Sequence, residues 1–121
     1  MENRHLFRGK RVDNGMEKWV VGDLVHSVYK IGDTCIGQYG NEIGMHEVDP
    51  LTICQCIGYE GIYERDIFQC EDERYVIEWS NDSLSWEALS VWSSESISLG
   101  EFSAKEIDVI GNVFDNPELL K

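Results

Sequence analysis

The chain has 121 residues, of which 42% are hydrophobic and 27% are charged, and its formal net charge is −13. This length suits one domain with a hydrophobic core, and the composition is that of a folded protein. Negative charge of this size disfavours nonspecific nucleic-acid binding, because the surface repels phosphate.

The first segments predict a β-hairpin followed by another strand. Two strand-like runs, residues 5–12 and 17–21, flank the turn sequence Asp-Asn-Gly at 13–15. Asn-Gly is the strongest short signal of a hairpin, because both central residues of the turn need positive φ. Residues 22–23, Gly-Asp, are expected to break the chain before an alternating strand at 24–29.

The middle of the chain predicts further short strands separated by turns. Between residues 30 and 50, glycines punctuate short apolar runs. Runs rich in β-branched and aromatic residues then predict strands at 51–57, 67–68 and 75–79. Ser80-Asn81-Asp82-Ser83 is a turn signal, and residues 84–92, which fit both a strand and a helix, are interpreted as a strand.

Helical signals are confined to the end of the chain. Ser103 and Glu106 have the spacing of a capping box. Asn116 followed by Pro117 predicts the N-cap and first position of a short C-terminal helical turn.

These elements predict a mostly β fold. We expect a small barrel-like or sandwich arrangement of short antiparallel strands with SH3-like elements, in a single domain over residues 1–121. The pattern apolar-apolar-x-x-Asp-apolar-apolar occurs at 19–25 and again at 62–68, which hints at two small β units within it. An Asp just before a strand can bond the backbone of a tight bend.

Three blocks carry more specific motifs. They are FRGKRVDNG-x3-WVVGDLV at residues 7–25, VDP-x-TICQ through IYERDI at 48–67, and VIGNVFDNPELL at 109–120. In this order they resemble the YopX family, small proteins encoded mainly by bacteriophages and prophages. The resemblance implies a mostly β, barrel-like fold and a phage or prophage protein of the bacterial cytoplasm. It implies no chemistry.

Two features depart from the family's pattern. The loop from Gly58 to Ile62 is shorter than the family's polar loop, and Arg65 stands where the family typically has Gly before Asp. If this position needs positive φ, Arg65 carries strain of about 1 kcal/mol, and otherwise the bend has changed. No function attached to this loop is carried over.

Cys54 and Cys56 are the one candidate pair for metal or redox chemistry. Two thiols at this spacing share a face of a strand, but Cys35, Cys70 or a histidine would have to complete a metal site from a distant segment. We favour buried cysteines that act as small hydrophobic residues. No metal and no cofactor are expected.

Other patterns also fall short of a catalytic site. The three histidines lack a motif, and a triad of His26, Asp23 and a serine would have no nucleophile elbow. The acidic run at 71–73 lacks the alternating ligands and the Gly of a calcium loop. Most of the tryptophans are interpreted as core residues, because a stacking platform for single strands also needs a basic groove. We expect a protein that is not an enzyme.

Nothing in the sequence indicates export or membrane insertion. Residues 1–20 lack the apolar run and cleavage site of a signal peptide, and no stretch approaches the length of a membrane span. The four cysteines do not have the spacing of a disulfide framework. We therefore expect a cytoplasmic protein with free thiols.

The charge is unevenly distributed, which bears on partners. Residues 1–11 carry +3 and the remainder −16. We expect an assembly contact with an acidic neighbour at the basic residues Arg4, Arg8, Lys10 and Arg11. The leading hypothesis is a noncatalytic accessory protein that acts through protein contact or homo-oligomerisation. The alternative is an acidic DNA mimic that inhibits a host nucleic-acid-binding or restriction enzyme.

Overall fold

A computed structural model describes residues 6–10, 19–26, 34–38, 44–58 and 61–121. The chain forms two compact units, residues 1–61 and 62–121, and each has its own five-stranded antiparallel sheet. The mostly β prediction is confirmed, and in the described residues the sheets are open rather than closed into a barrel. The single domain over 1–121 stays a prediction.

The sheet of the first unit has the strand order β4-β3-β2-β1-β5. A short 3-10 turn, Pro50–Thr52, precedes its last strand. The strands are β1 Phe7–Lys10, β2 Trp19–His26, β3 Thr34–Gln38, β4 Gly44–Glu47 and β5 Cys54–Gln55. Strands β1 and β2 form the expected hairpin, with Lys10 opposite Trp19, and the Asn14-Gly15 turn lies outside the described residues.

The predicted break at Gly22 and Asp23 is wrong. Strand β2 is continuous there, and it changes partner instead: residues 19–22 pair with β1, whereas 23–26 pair with β3. A glycine favours such a change of pairing partner, because it lets the strand bend without breaking it. The sequence signal thus marks a change of pairing, not a turn.

A small core in the first unit depends on Gly9. Val20 and Val48 are both buried, and Phe7 and Ile53 pack against them. A Cβ placed on Gly9 would lie 3.0 Å from Val48 Cβ, which is tighter than most real Cβ contacts. The missing side chain therefore allows Val48 to pack directly on β1.

The strand predicted at 51–57 begins later than expected. Asp49 Oδ1 accepts a hydrogen bond from the Leu51 N–H at 3.0 Å, and the Asp49 carbonyl accepts from the Thr52 hydroxyl at 2.7 Å. Such side-chain-to-backbone bonds compete with strand formation. Residues 50–52 therefore form the 3-10 turn, and the strand starts at Cys54.

The sheet of the second unit has the order β10-β6-β7-β8-β9. Its strands are β6 Asp66–Cys70, β7 Glu73–Ser80, β8 Ser85–Ser90, β9 Ser96–Ser98 and β10 Asp108–Asn112. Strands predicted around 67–68, 75–79 and 84–92 are thus confirmed, although the last is shorter than predicted, because Leu84, Val91 and Trp92 belong to turns. The predicted C-terminal helical turn is the 3-10 segment Pro117–Leu120, and another 3-10 turn spans Leu99–Glu101.

The capping-box signal at Ser103 produces a single turn. Glu106 Oε1 accepts a hydrogen bond from the Ser103 N–H at 2.9 Å, as in a capping box. Only a turn follows, and β10 begins at Asp108. The box therefore closes a loop here and starts no α-helix.

Aromatic packing forms the core of the second unit. Phe68 is fully buried on β6, and its ring stacks on Tyr75, the residue opposite it on β7, with centroids 5.2 Å apart. Phe102 meets Phe68 edge-on at 5.3 Å. Burial of an aromatic ring stabilises a fold by about 2 kcal/mol, and such ring pairs add about 1 kcal/mol. Ile77 and Ala88, also fully buried, extend this face of the sheet.

The bend before β6 is held by a buried carboxyl group. Asp66 is 1% exposed, and its Oδ2 accepts a hydrogen bond from the Tyr63 N–H at 2.9 Å. This is the bond expected of an Asp that precedes a strand. Asp23, its counterpart in the sequence echo, lies inside β2, so the two motifs have different local structures.

Arg65 adopts the left-handed conformation, with φ of +68°, which is the first of the two alternatives left open for this position. Its N–H donates to the Ile77 carbonyl at 2.7 Å, and its carbonyl accepts from the Val113 N–H at 3.1 Å. The guanidinium lies 5.7 Å from the centre of the Phe114 ring. Hydrogen bonds at its N–H and at its carbonyl thus hold Arg65 in this conformation, which is strained for a residue that has a Cβ.

Replacing Arg65 by Gly and by Ala measures this strain. Both substitutions remove the guanidinium, but only Ala keeps a Cβ, so we expect R65A to be less stable than R65G by about 1 kcal/mol. The free energy of unfolding from urea titrations is the measurement. Equal stabilities would show that the backbone at this position is not strained.

Candidate functional site

The basic residues near the N-terminus are partly built into the first sheet. Arg8 and Lys10 lie on β1, between β2 and β5. The Arg8 guanidinium is 4.6 Å from the centre of the Trp19 ring, and Lys10 Nζ is 5.4 Å from it. Both cations therefore interact with a tryptophan of their own sheet. Arg4 and Arg11 lie outside the described residues, and the assembly contact stays a prediction.

Cys54 and Cys56 are fully buried in the first unit. The Cys54 thiol donates to the Thr52 carbonyl oxygen at 3.3 Å, and the Cys56 N–H donates to the Leu6 carbonyl at 2.9 Å. Both are free thiols, as is Cys70. Cys54 and Cys56 occupy buried positions, as expected of small hydrophobic residues. Among the described residues, no three or more His, Cys, Asp or Glu side chains are grouped to hold a metal ion.

The histidines considered for catalysis are on separate strands. The backbone of His26 lies in β2 opposite Thr34, and that of His46 lies in β4 opposite Ile36. His5 lies outside the described residues.

The polar residues of the C-terminal block bond to one another. Asn112 is 8% exposed, and its Oδ1 accepts hydrogen bonds from the N–H groups of Phe114 and Asp115, both at 3.0 Å. Its Nδ2 donates to Asp115 Oδ2 at 3.2 Å, and its backbone N–H donates to Asn116 Oδ1 at 3.2 Å. One buried side chain thus folds the chain back directly after β10.

Asn116 stands at the predicted N-cap position of the C-terminal 3-10 turn, but its side chain has another role. Its side chain makes no capping bond to the 3-10 turn that follows. A Cβ placed on Gly111 would lie 2.5 Å from Asn116 Oδ1, so this amide packs where only glycine leaves room. Asn116 Nδ2 donates instead to Glu118 Oε1 at 3.3 Å. The spacing Gly-Asn-x-x-Asp-Asn-Pro is therefore accounted for by the geometry of a polar turn.

The fold is that of a small β-sheet protein whose sequence motifs stabilise its bends. The YopX protein family matches residues 57–121, more than half of the chain, and the chain belongs to this family. The match includes the whole second unit and the block at 109–120, whereas the block at 7–25 lies outside it. Comparison with curated proteins gave no match, and neither did comparison with solved structures.

The end of the β7–β8 hairpin, from Glu78 to Glu87, has acidic side chains on one side; we call it the hairpin tip. Glu78 lies directly opposite Glu87 in the register. Like charges that face each other across two strands repel. Ser83 Oγ donates to Glu87 Oε1 at 2.9 Å and holds that carboxylate in place. A groove of about 430 Å³ runs here, lined by Glu78, Trp79, Ser80, Asn81, Asp82, Glu87, Leu89 and Ser96.

The hairpin tip also exposes large apolar side chains. Trp79 pairs with Trp86 across the strands, and their rings meet edge-on at 5.2 Å. The Trp79 indole N–H donates to Asn81 Oδ1 at 3.1 Å. Even so, Trp79 is 44% exposed and Leu84 is 72% exposed. The prediction that most tryptophans are core residues is therefore wrong for Trp79, and also for Trp92, which is 53% exposed.

Leu84 adopts a backbone conformation that is unusual for its type. It is the last residue of the hairpin turn, with φ of +54°. Gly and Asn are the residues that commonly take this conformation, and Leu has neither glycine's freedom nor a polar side chain to stabilise it. No sequence pattern marks a leucine for a left-handed conformation, so the sequence placed Leu84 at the start of a strand.

The negative charge is concentrated in the second unit. Fourteen acidic against four basic residues give residues 62–121 a charge of −10, out of −13 for the chain. Residues 1–61 carry only −3. In the part of the chain that the structure describes, no helix is long and apolar enough to cross a membrane.

The acidic surroundings also affect Cys70, at the end of β6. Its Sγ lies 4.0 Å from Glu106 Oε2. Desolvation first, and then the carboxylates of Glu106 and Glu71, raise the pKa of the Cys70 thiol above its ordinary value. Because the thiolate is the nucleophile, this thiol is a poor nucleophile at neutral pH.

We expect Glu106→Gln to make Cys70 more reactive. The substitution removes a negative charge that opposes the thiolate, so the pKa falls and alkylation at neutral pH becomes faster. The measurement is the rate of iodoacetamide labelling at Cys70 by mass spectrometry across a pH series, with Glu101→Gln as the control. A rate unchanged by E106Q would contradict this origin of the raised pKa.

Proposed function

We propose that the chain is a noncatalytic accessory protein that acts by contacting another protein. The exposed apolar side chains of the hairpin tip carry this proposal. Trp79 and Leu84 are exposed on a hairpin whose backbone is otherwise well paired, and Leu84 has an unfavourable φ. Strained backbone and exposed apolar residues concentrate at sites of interaction.

Membership of the YopX family supports a phage or prophage origin and action in the cytoplasm of a bacterial host. The proposal includes self-association as one form of protein contact. Its support is the charge asymmetry, since residues 1–11 carry +3 and residues 62–121 carry −10. Opposite charges on two copies of a chain favour association.

The charge of the second unit also favours a second candidate, the acidic DNA mimic. A unit with fourteen carboxylates against four basic residues suits the basic cleft of a host nucleic-acid-binding or restriction enzyme. The two candidates differ in how strongly their binding depends on salt. Binding through carboxylates alone weakens steeply with salt, whereas binding through buried apolar side chains persists.

Affinity capture from the extract of a bacterial host tests the proposal. With the intact tagged chain as bait, we expect a discrete host or phage protein to be retained and to stay bound during a wash at high salt. The retained protein should also cross-link to the bait. A tag without the chain is the control. Retention only at low salt would favour the DNA mimic, and no retained protein at any salt would contradict both candidates. Light scattering that shows a monomer at micromolar concentration would exclude self-association.

A further inference from the structure

We propose that Arg74 and Trp92 form a binding site for a carboxylate side chain of a partner protein, and that residues 117–121 cover this site in the free chain. We call residues 117–121 the strap; they include the 3-10 turn Pro117–Leu120. This inference rests on the proposed function, that the chain acts through protein contact. It adds the chemical group that a surface other than the hairpin tip recognises on the partner.

The strap places two carbonyl oxygens on the two donor groups of this site. The Arg74 guanidinium, on β7, donates from Nη1 to the Leu119 carbonyl oxygen at 3.4 Å. The Trp92 indole, in the turn after β8, donates from Nε1 to the Lys121 carbonyl oxygen at 3.3 Å. Both distances are longer than the about 2.9 Å of a typical N–H···O bond, so both hydrogen bonds are weak.

Arg74 is a cation that lacks a counter-ion in the described part of the chain. Its side chain is half-buried, and its Nε is shielded from solvent without a hydrogen-bond partner. The guanidinium lies 5.8 Å from the centre of the Trp92 ring. None of the fourteen acidic residues of the second unit, all of which the structure describes, pairs with it. A partly buried cation without an anion is unfavourable, and a carboxylate supplied by a partner would relieve this.

The donor groups identify a carboxylate as the ligand. A guanidinium presents N–H groups in one plane that match the two oxygens of a carboxylate, and these bonds are shorter and stronger than those to a neutral carbonyl. A carboxylate therefore competes with the carbonyl oxygens of the strap for Arg74 and Trp92. Phosphate groups carry more negative charge, so the net charge of −10 on residues 62–121 repels them more strongly than it repels a single carboxylate.

The strap is attached loosely enough to be displaced. None of residues 117–120 is buried, and Leu120 is 38% exposed. Its release therefore exposes little additional apolar surface to water. The hydrogen bonds that Asn112 makes to fold the chain back after β10 do not involve the strap, so they persist when it moves.

Titration of the intact chain with defined peptides tests the site. One peptide has leucines around a single Glu, and the other has Gln in its place. We expect the Glu peptide to shift the NMR signals of the Trp92 indole N–H and the Leu119 amide, because its carboxylate displaces the strap, and the Gln peptide to leave them unchanged. Equal shifts with both peptides, or shifts with inorganic phosphate but not with the Glu peptide, would overturn the site. The absence of any shift would do so too.

Matched charge variants test the role of Arg74. Arg74→Gln should lower the affinity for the Glu peptide about tenfold or more, because a charge-assisted hydrogen bond is lost. The control is Lys105→Gln, which removes an exposed positive charge elsewhere in the second unit and should change the affinity little. Equal losses in the two variants would show that total charge acts rather than this site.

A second pair of variants tests the strap in the free chain. Trp92→Phe keeps an aromatic ring beside Arg74 but removes the indole N–H, so the Leu119 amide should exchange its hydrogen faster. Trp79→Phe is the control, because Trp79 is also exposed but donates to Asn81. Equal exchange in W92F and W79F would overturn the role of Trp92. A Leu119 amide that exchanges as slowly as those of β7 in the unchanged chain would show that the strap does not leave.

A protein captured from host extract separates this inference from the proposed function. We expect R74Q to bind the captured protein more weakly than the unchanged chain does. If R74Q binds it equally well, the carboxylate site is wrong and the proposed function stands. If no protein is captured while the Glu peptide still shifts the Trp92 signal, the site stands and the proposed function fails.

Discussion

The second unit depends on one buried hydrogen bond, from the Tyr63 N–H to the carboxyl group of Asp66. The bond is 2.9 Å long, and the carboxyl group is almost wholly removed from water. A buried polar group without a partner destabilises a protein by several kcal/mol, so the backbone must keep the bend that satisfies it. That bend forces Arg65 to a φ of +68° and directs its N–H and carbonyl to Ile77 and Val113. The bend thereby joins β7 and the end of β10 at one place.

The C-terminal block of the family, residues 109–120, also stabilises the region around Asp66. Asn112 lies opposite Asp66 in the register of β10 and β6, and its side chain binds two backbone N–H groups of the turn that follows. Asn116 fills the space left by Gly111. The hydrogen bonds of these polar residues lie within the turn. The family's most specific motif is thus a folding element, and the exposed hairpin tip lies outside it.

Features set by local chemistry were predictable from the sequence, and those set by distant partners were not. The hairpin of β1 and β2 and the Asp-led bend at Asp66 each follow from a few neighbouring residues. For Arg65 the sequence left open a positive φ and a changed bend, and the structure shows the positive φ. The continuity of β2 does not, because it depends on two different strands that pair with its two halves. Exposure of Trp79 was equally unpredictable, since an alternating strand pattern gives the two faces of a sheet but not which part of a face is covered.

Departures at single residues also have identifiable causes. The Asp49 side chain turns the chain into a 3-10 turn where β-branched residues favoured a strand. Arg8 and Lys10, for which charge predicts an assembly contact, lie in a strand over Trp19, and the contact itself stays a prediction. Leu84 has no sequence signature for its conformation. Charge and propensity describe single residues, whereas these outcomes depend on which neighbour lies within bonding distance.

Amide hydrogen exchange tests the central role of the two buried polar side chains most directly. The N–H groups of Tyr63, Phe114 and Asp115 are outside the strands, yet they donate to Asp66 and Asn112. If these side chains hold the second unit together, the three amides exchange only when the whole unit unfolds. Their exchange is then as slow as that of the amides in the central strand β7. Exchange at the rate of an exposed loop would contradict the account.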